Sequence, residues 1–196
     1  SYAFYAWWRV DFLLLFVAVT FWNYFIGLAI HRAGIGTASA RKWVAIGVGG
    51  DLATLGYFKY ANFGVDSLND LLVSAGSQPL ELANIILPIG ISFYIFQAIS
   101  YVVDVYRGDT EPTRRVIDFA AFIALFPQLI AGPVLRYKDL ADQFTYRTHT
   151  MEKFGEGAFR FMQGFIKKVF IADSIAPLAD SAFALSDPST ADAWLG

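Results

Sequence analysis

Apolar residues along this chain fall into long unbroken runs rather than into alternation. Phe12 to Ile30 is nineteen residues without a formal charge, entered through the cluster Trp7, Trp8 and Arg9. Leu82 to Val103 gives twenty-two more. A bilayer core of about 30 Å is crossed by a helix of roughly 20 apolar residues, so both runs predict membrane spans. Trp43 to Phe58 is shorter and carries Asp51 at its centre, but Arg41 and Lys42 flank one end and Lys59 the other. It predicts a third span. Phe119 to Leu135 is seventeen uncharged residues interrupted by Pro127 and by the pair Gly132 and Pro133. The last third changes character: Phe154, Ala158, Phe161, Phe165, Val169 and Ala172 recur at helical spacing, with Lys153, Glu156, Arg160 and Lys167 largely opposite. That pattern predicts an amphipathic helix over 152–173, too charged to span, lying in the membrane interface or packed on the rest of the protein. An apolar stretch crosses Pro177 before a turn at Asp187, Pro188 and Ser189.

Lys and Arg in short loops set orientation. The loop from His31 to Lys42 holds Arg32, Arg41 and Lys42 and no acid, which places it in the cytoplasm. The loop from Lys59 to Glu81 carries Asp66, Asp70 and Glu81 against one Lys, which places it outside; Arg107, Arg114 and Arg115 bring the next loop back in. A full crossing at 119–135 would then put the basic residues Arg136, Lys138, Arg147 and Lys153 outside. A re-entrant or broken helix on the cytoplasmic side removes the conflict, since Pro127 deletes a helix hydrogen bond and Pro133 disfavours helix at Gly132. Non-helical backbone at that depth is tolerated where it is buried in protein or lines a wet cavity. A proline-kinked ordinary span is the other reading. The fold class expected is all-α: one multi-pass membrane domain over 1–196, without a soluble domain or internal repeat.

Composition sharpens this. Of the 196 residues 56% are hydrophobic, 17% aromatic and 16% charged. A soluble domain carries about 25% charged residues, so a soluble enzyme and a disordered chain are both excluded. The net charge of −2 argues against a nucleic-acid surface. Without cysteine there is no disulfide, thiolate metal site or cysteine nucleophile. Gly47, Gly49 and Gly50 lack the GKS/GKT of a phosphate-binding loop and suit close helix packing instead. His31 and His149 read as interfacial and as solvated or capping residues, respectively. Asp51 is an ionisable group inside a span, a functional candidate by default, unless it pairs with a Lys, Arg or Tyr of a neighbouring helix. Asn23, Ser92, Gln97 and Ser100 fit interhelical hydrogen bonds or the wall of a polar tunnel. A transporter, with Asp51 and the broken segment holding an ion or solute, and a structural membrane scaffold are the alternatives outside enzymology.

Two stretches resemble signatures of the membrane-bound O-acyltransferase family. One is Leu87-Pro88-Ile89-Gly90-Ile91-Ser92-Phe93-Tyr94, continuing to Tyr101, Asp104, Arg107 and Gly108; the other is Phe126-Pro127-Gln128-Leu129-Ile130-Ala131-Gly132-Pro133-Val134, then Arg136. More narrowly, residues 4–11, 56–66, 161–173 and 192–196 are similar to the alginate O-acetyltransferase branch. The resemblance implies a multi-pass protein of the bacterial inner membrane that takes an acyl group made in the cytoplasm and moves it across the bilayer. It implies acetylation of an exopolysaccharide with periplasmic acetyltransferase partners, though related members modify other envelope polymers or transfer D-alanine. The donor is acetyl-CoA or a carrier-linked acyl group, and no bound cofactor or metal is expected. The family's membrane-embedded catalytic His follows a Trp-Arg-Arg-Trp-type stretch that this sequence lacks, so the chain is expected to be an internal piece and no catalytic residue is assigned. The framework expected to wall the acyl path comprises Pro88, Gly90, Ser92, Gln97, Arg107, Pro127, Gln128, Gly132, Pro133 and Arg136. The chemistry asks for such a water-poor path, which shields the acyl group from hydrolysis.

Overall fold

The computed structural model of the chain describes residues 1–80, 84–130, 134–185, 189–190 and 194. Among these there is helix and no strand. Two compact units emerge, Ser1–Tyr146 and Arg147–Gly196.

In the first unit α1 (Tyr2–Trp8) and α2 (Val10–Ala33) are joined at Arg9, whose extended backbone separates them. At 24 residues with a mean hydropathy of 2.1, α2 is, among the described residues, the one helix long and apolar enough to cross a membrane by length and composition. It contains the whole predicted span 12–30. α3 (Ala38–Ser74) starts where the Thr37 hydroxyl accepts the Ala40 amide at 3.0 Å, a side-chain cap of the usual kind. Its 37 residues run past both ends of the expected span 43–58: the helix continues more than four turns into the stretch read as an outer loop. At 1.5 Å per residue it is about 56 Å long.

The predicted span 82–103 is also corrected. Residues 82 and 83 lie outside the described residues; 84–88 are irregular, a turn follows, and α4 (Ile91–Arg107) begins only after Gly90. The reason is local and tertiary at once. Pro88 has no amide to donate, and Gly90 has φ +73°, which ends any helix approaching from the N-terminal side. The returning segment also finds its backbone partners on α3. Asn69 takes the Leu80 amide at 2.7 Å and gives to its carbonyl at 3.1 Å. Two turns earlier Asn62 takes the Ile85 amide at 3.0 Å and gives to its carbonyl at 2.8 Å. Each asparagine thus serves one residue of the segment, Leu80 or Ile85, as a neighbouring strand would.

α5 (Val116–Ile123) and α6 (Phe126–Ile130) divide the fourth apolar run. The break falls at Ala124 and Leu125, just before Pro127. A proline ring collides with the carbonyl four residues back, here Ile123, while within a first helical turn its missing amide costs nothing. Residues 131–133, including Gly132 and Pro133, lie outside the described residues. α7 (Tyr137–Thr145) closes the unit.

The core joins α2, α3 and α4, with α5 and α6 against α2 and α4. It is aromatic: Phe16 meets Tyr5 at 5.1 Å and Tyr94 at 4.7 Å, and Tyr101 meets Phe119 at 4.5 Å and Tyr137 at 5.3 Å between ring centroids. Small residues allow the close approach. A Cβ on Gly47 would sit 2.7 Å from Ile26, and one on Gly50 2.9 Å from Trp22, both across the α2–α3 contact. Gly49 faces open space, so two of the three glycines pack helices. Gly27 does the same for Tyr101.

The second unit holds α8 (Met151–Ile166), a π-helical turn at Lys167–Ala172 and α9 (Asp173–Phe183). Thr150, not His149, caps α8 by accepting the Lys153 amide at 3.2 Å. The helix read over 152–173 is α-helical to Ile166 and π-helical over Lys167–Ala172, and the π turn, bonding i to i+5, shifts the register beyond Phe165. Phe161 and Phe165 stack at 6.1 Å. Of the turn read at Asp187, Pro188 and Ser189, only Ser189 lies among the described residues.

Candidate functional site

Three contacts, two of them polar, tie framework residues together inside the first unit. The tightest is the joint between the start of α4 and α6. Gly90 lies so close to Leu129 that a Cβ would run into the Leu129 carbonyl. Pro88 beside it is buried, and the Tyr5 hydroxyl of α1 donates to the Ile89 carbonyl. Burial pushes that phenol up to about 12, so it stays a donor. The Ser1 hydroxyl donates to the Ala124 carbonyl at 2.5 Å, occupying a backbone group freed by the helix break.

One and a half turns into α4, Gln97 is 3% exposed and donates to Gln128 Oε1 at 2.6 Å and to the Phe122 carbonyl at 3.3 Å. A buried amide costs free energy unless its hydrogen bonds are made. The pair therefore fixes α6 against α4 while keeping polar atoms in an apolar interior. Ser100 bonds back to the Gln97 carbonyl at 2.8 Å within its own helix, so it forms no interhelical bond of the kind expected. Ser92 is half-buried and Pro127 exposed.

At the far end of α4, Arg136 holds both carboxylate oxygens of Asp104 through one guanidinium edge: Nε donates to Oδ2 at 3.0 Å and Nη2 to Oδ1. Asp109 lies 3.4 Å from Nη2. Asp104 is 1% exposed, whereas the Arg136 side chain is 38% exposed. Hydrogen bonding to Asp104 is the main reason the guanidinium is held above its ordinary value, and desolvation opposes it. Arg107, the other basic framework residue, is exposed and apart from this pair. Asp104 stood in the resemblance but not among the framework residues; the missed signal is its place one turn before Arg107 on the buried face of α4.

Asp51 lies apart from these contacts, on the α2–α3 side. Asn23 Nδ2 donates to its Oδ1 at 2.9 Å, so its partner is an amide and not the expected Lys, Arg or Tyr. Both residues are buried. Asp51 also borders a groove of about 310 Å³ whose other walls are Leu15, Ala18, Val19, Trp22, Gly50 and Thr54. His31 closes the last turn of α2 and is exposed, and His149 is exposed. Among the described residues no group of three His, Cys, Asp or Glu has the arrangement of a metal site.

Together, a glycine contact and an amide pair pin the broken α5–α6 segment to α4, and an ion pair ties α4 to the start of α7. Comparison with known proteins shows what the chain is similar to. The chain is 67% identical over all of its 196 residues to a protein of Azotobacter vinelandii named "Probable alginate O-acetylase AlgI". It is equally identical, again over its whole length, to the protein of that name from Pseudomonas aeruginosa. A peptidoglycan O-acetyltransferase of Helicobacter pylori is 32% identical over 93% of the chain. The resemblance to polysaccharide O-acetyltransferases read from the sequence thus holds at every part of the chain. The chain spans about two fifths of the length of these relatives. No family model and no solved structure matches it.

Proposed function

We propose that this chain forms the membrane-embedded acyl-path framework of an O-acetyltransferase that acetylates an exported polysaccharide, with alginate as the acceptor. The carrying observation is its 67% identity to alginate O-acetylases along its whole length. The physical reading agrees: a multi-pass inner-membrane protein takes the acyl group from a cytoplasmic donor, acetyl-CoA or a carrier-linked acyl group. The broken α5–α6 segment enters and returns on the cytoplasmic side, with the Gly90, Gln97–Gln128 and Asp104–Arg136 contacts holding the walls of the path. The catalytic His is supplied by the part of the protein that carries the Trp-Arg-rich stretch, and periplasmic acetyltransferases pass the group on to the polymer.

Deletion of the gene, with complementation, tests this. Export of the polymer should continue while its ester-linked acetate is lost, and acetate content equal to wild type would overturn the proposal. The similarity to the Helicobacter pylori enzyme supports a second acceptor, peptidoglycan; acetate lost from the wall and kept on the exported polymer selects it.

The orientation has its own test. Because the chain has no cysteine, Lys138→Cys is a single reporter, provided any cysteines elsewhere in the protein are first removed. An impermeant maleimide should label it in inverted vesicles and not in intact spheroplasts. The opposite pattern would make 119–135 a crossing segment.

A further inference from the structure

One face of α2 near its C-terminal end carries Tyr24, Leu28, His31 and Arg32, spaced i, i+4, i+7 and i+8. With Arg114 of the loop between α4 and α5 they enclose a pocket of about 380 Å³. The loop does not merely lie near. Tyr24, buried in α2, donates its hydroxyl to the Arg114 carbonyl at 2.9 Å, which fixes where the Arg114 side chain starts. The pocket therefore has an apolar floor at Leu28 and three nitrogen-bearing side chains around it, two of them permanent cations.

Their charge is not neutralised. Among the described residues neither Arg32 nor Arg114 makes an ion pair. The acids of the same loop region are engaged elsewhere, Asp109 with Arg136 and Asp118 with Arg115 at 3.8 Å; Glu111 is exposed and does not line the pocket. Basic residues in a last helical turn favour the helix dipole, which accounts for His31 and Arg32. It does not account for Arg114, which comes from a distant part of the chain and is tethered to the same place. Two guanidiniums, an imidazole and an apolar floor fit a tetrahedral oxyanion better than a carboxylate, since two planar forks engage separate oxygens.

We infer that the Tyr24–His31–Arg32–Arg114 pocket binds a phosphate group carried on a larger molecule. Two sources share this chemistry: the headgroup of an anionic phospholipid, which abounds at a membrane surface beside basic residues, and a water-soluble phosphate ester. The inference stands apart from the acyl-transfer proposal, because binding is read without turnover.

The complete protein is placed in nanodiscs of phosphatidylcholine alone or with phosphatidylglycerol. Inorganic pyrophosphate binding is measured by titration calorimetry in the first, and retained phosphatidylglycerol is counted by native mass spectrometry in the second. The R32Q/R114Q double variant is compared with R41Q/K42Q, which removes the same charge from the first turns of α3 but not from the pocket. Wild type should bind at least one probe. The pocket variant should weaken binding about tenfold per guanidinium, the equivalent of one charge-assisted hydrogen bond, and the control should match wild type. Pyrophosphate binding lost only in the pocket variant identifies a soluble ester; phosphatidylglycerol alone retained, and lost only in the pocket variant, identifies the lipid. Tyr24→Phe keeps both charges, frees the loop and should weaken the same probe by a smaller factor. Wild type that binds neither probe, or pocket and control variants that behave alike, overturns the inference.

Discussion

Gly90→Ala should lower the stability of the purified protein by about 3 kcal/mol, taking roughly 1–2 for a side chain in the left-handed region and 1–3 for forced overpacking. Gly90 has φ +73°, and a methyl group there meets the Leu129 carbonyl, a backbone atom that cannot swing away. Leu129 moves only if α6 moves, so the substitution separates α4 from α6. Gly76→Ala is the control. It has nearly the same φ, +74°, with nothing within 4 Å of the added carbon, and should show the backbone cost alone. Thermal melts of both variants in one detergent decide the point. Equal shifts would mean that the glycine contact with α6 contributes nothing.

Arg136→Gln should abolish most polysaccharide acetylation and reduce the folded yield several-fold, and it should be worse than Asp104→Asn. The asymmetry follows from exposure. Arg136 is partly in solvent and can rehydrate when its partner is removed, while Asp104 is 1% exposed and would keep a buried charge with no counter-ion. Arg136→Lys should recover only part of the loss, because an ammonium cannot span both carboxylate oxygens. In the double variant R136Q/D104N no charge is stranded, and the yield should rise above that of R136Q alone. Immunoblots of membrane fractions alongside polymer acetate give both readouts. Additive effects of the two single changes would show that the ion pair is not the unit that matters.

How much of this was legible beforehand differs from element to element. The first run was readable as a single helix nearly to its ends, because nineteen uncharged residues without proline carry no break. The fourth run was readable as broken, since Pro127 acts on its own neighbours. The second run, 82–103, was misread at its start. Its apolar character is real, but Pro88, Gly90 and the asparagines Asn62 and Asn69, which bind residues 23 and 11 positions further on, accompany an irregular start over 84–88. Both asparagines fall in the stretch read as an outer loop, and nothing local marks them as backbone partners. The framework residues fared likewise. Gln97 and Gln128 were both singled out, but their mutual hydrogen bond was not foreseeable from two positions 31 residues apart. The mate of Asp51 was expected to be a cation or a phenol and is the amide of Asn23.

The sequence by itself determined what depends on composition and short-range sterics: the all-helical class, the aromatic and apolar interior, the break near Pro127, and the likeness to polysaccharide O-acetyltransferases. Tertiary structure alone decided which polar groups meet. It joined Asp104 to Arg136, closed Gly90 onto Leu129, ran α3 on to Ser74 and brought Arg114 to the end of α2. The physical reason is that helix and span signals are sums over neighbouring residues, each small and each local. A buried hydrogen bond or ion pair instead depends on two groups reaching one point in space, and separation along the chain carries no record of that distance.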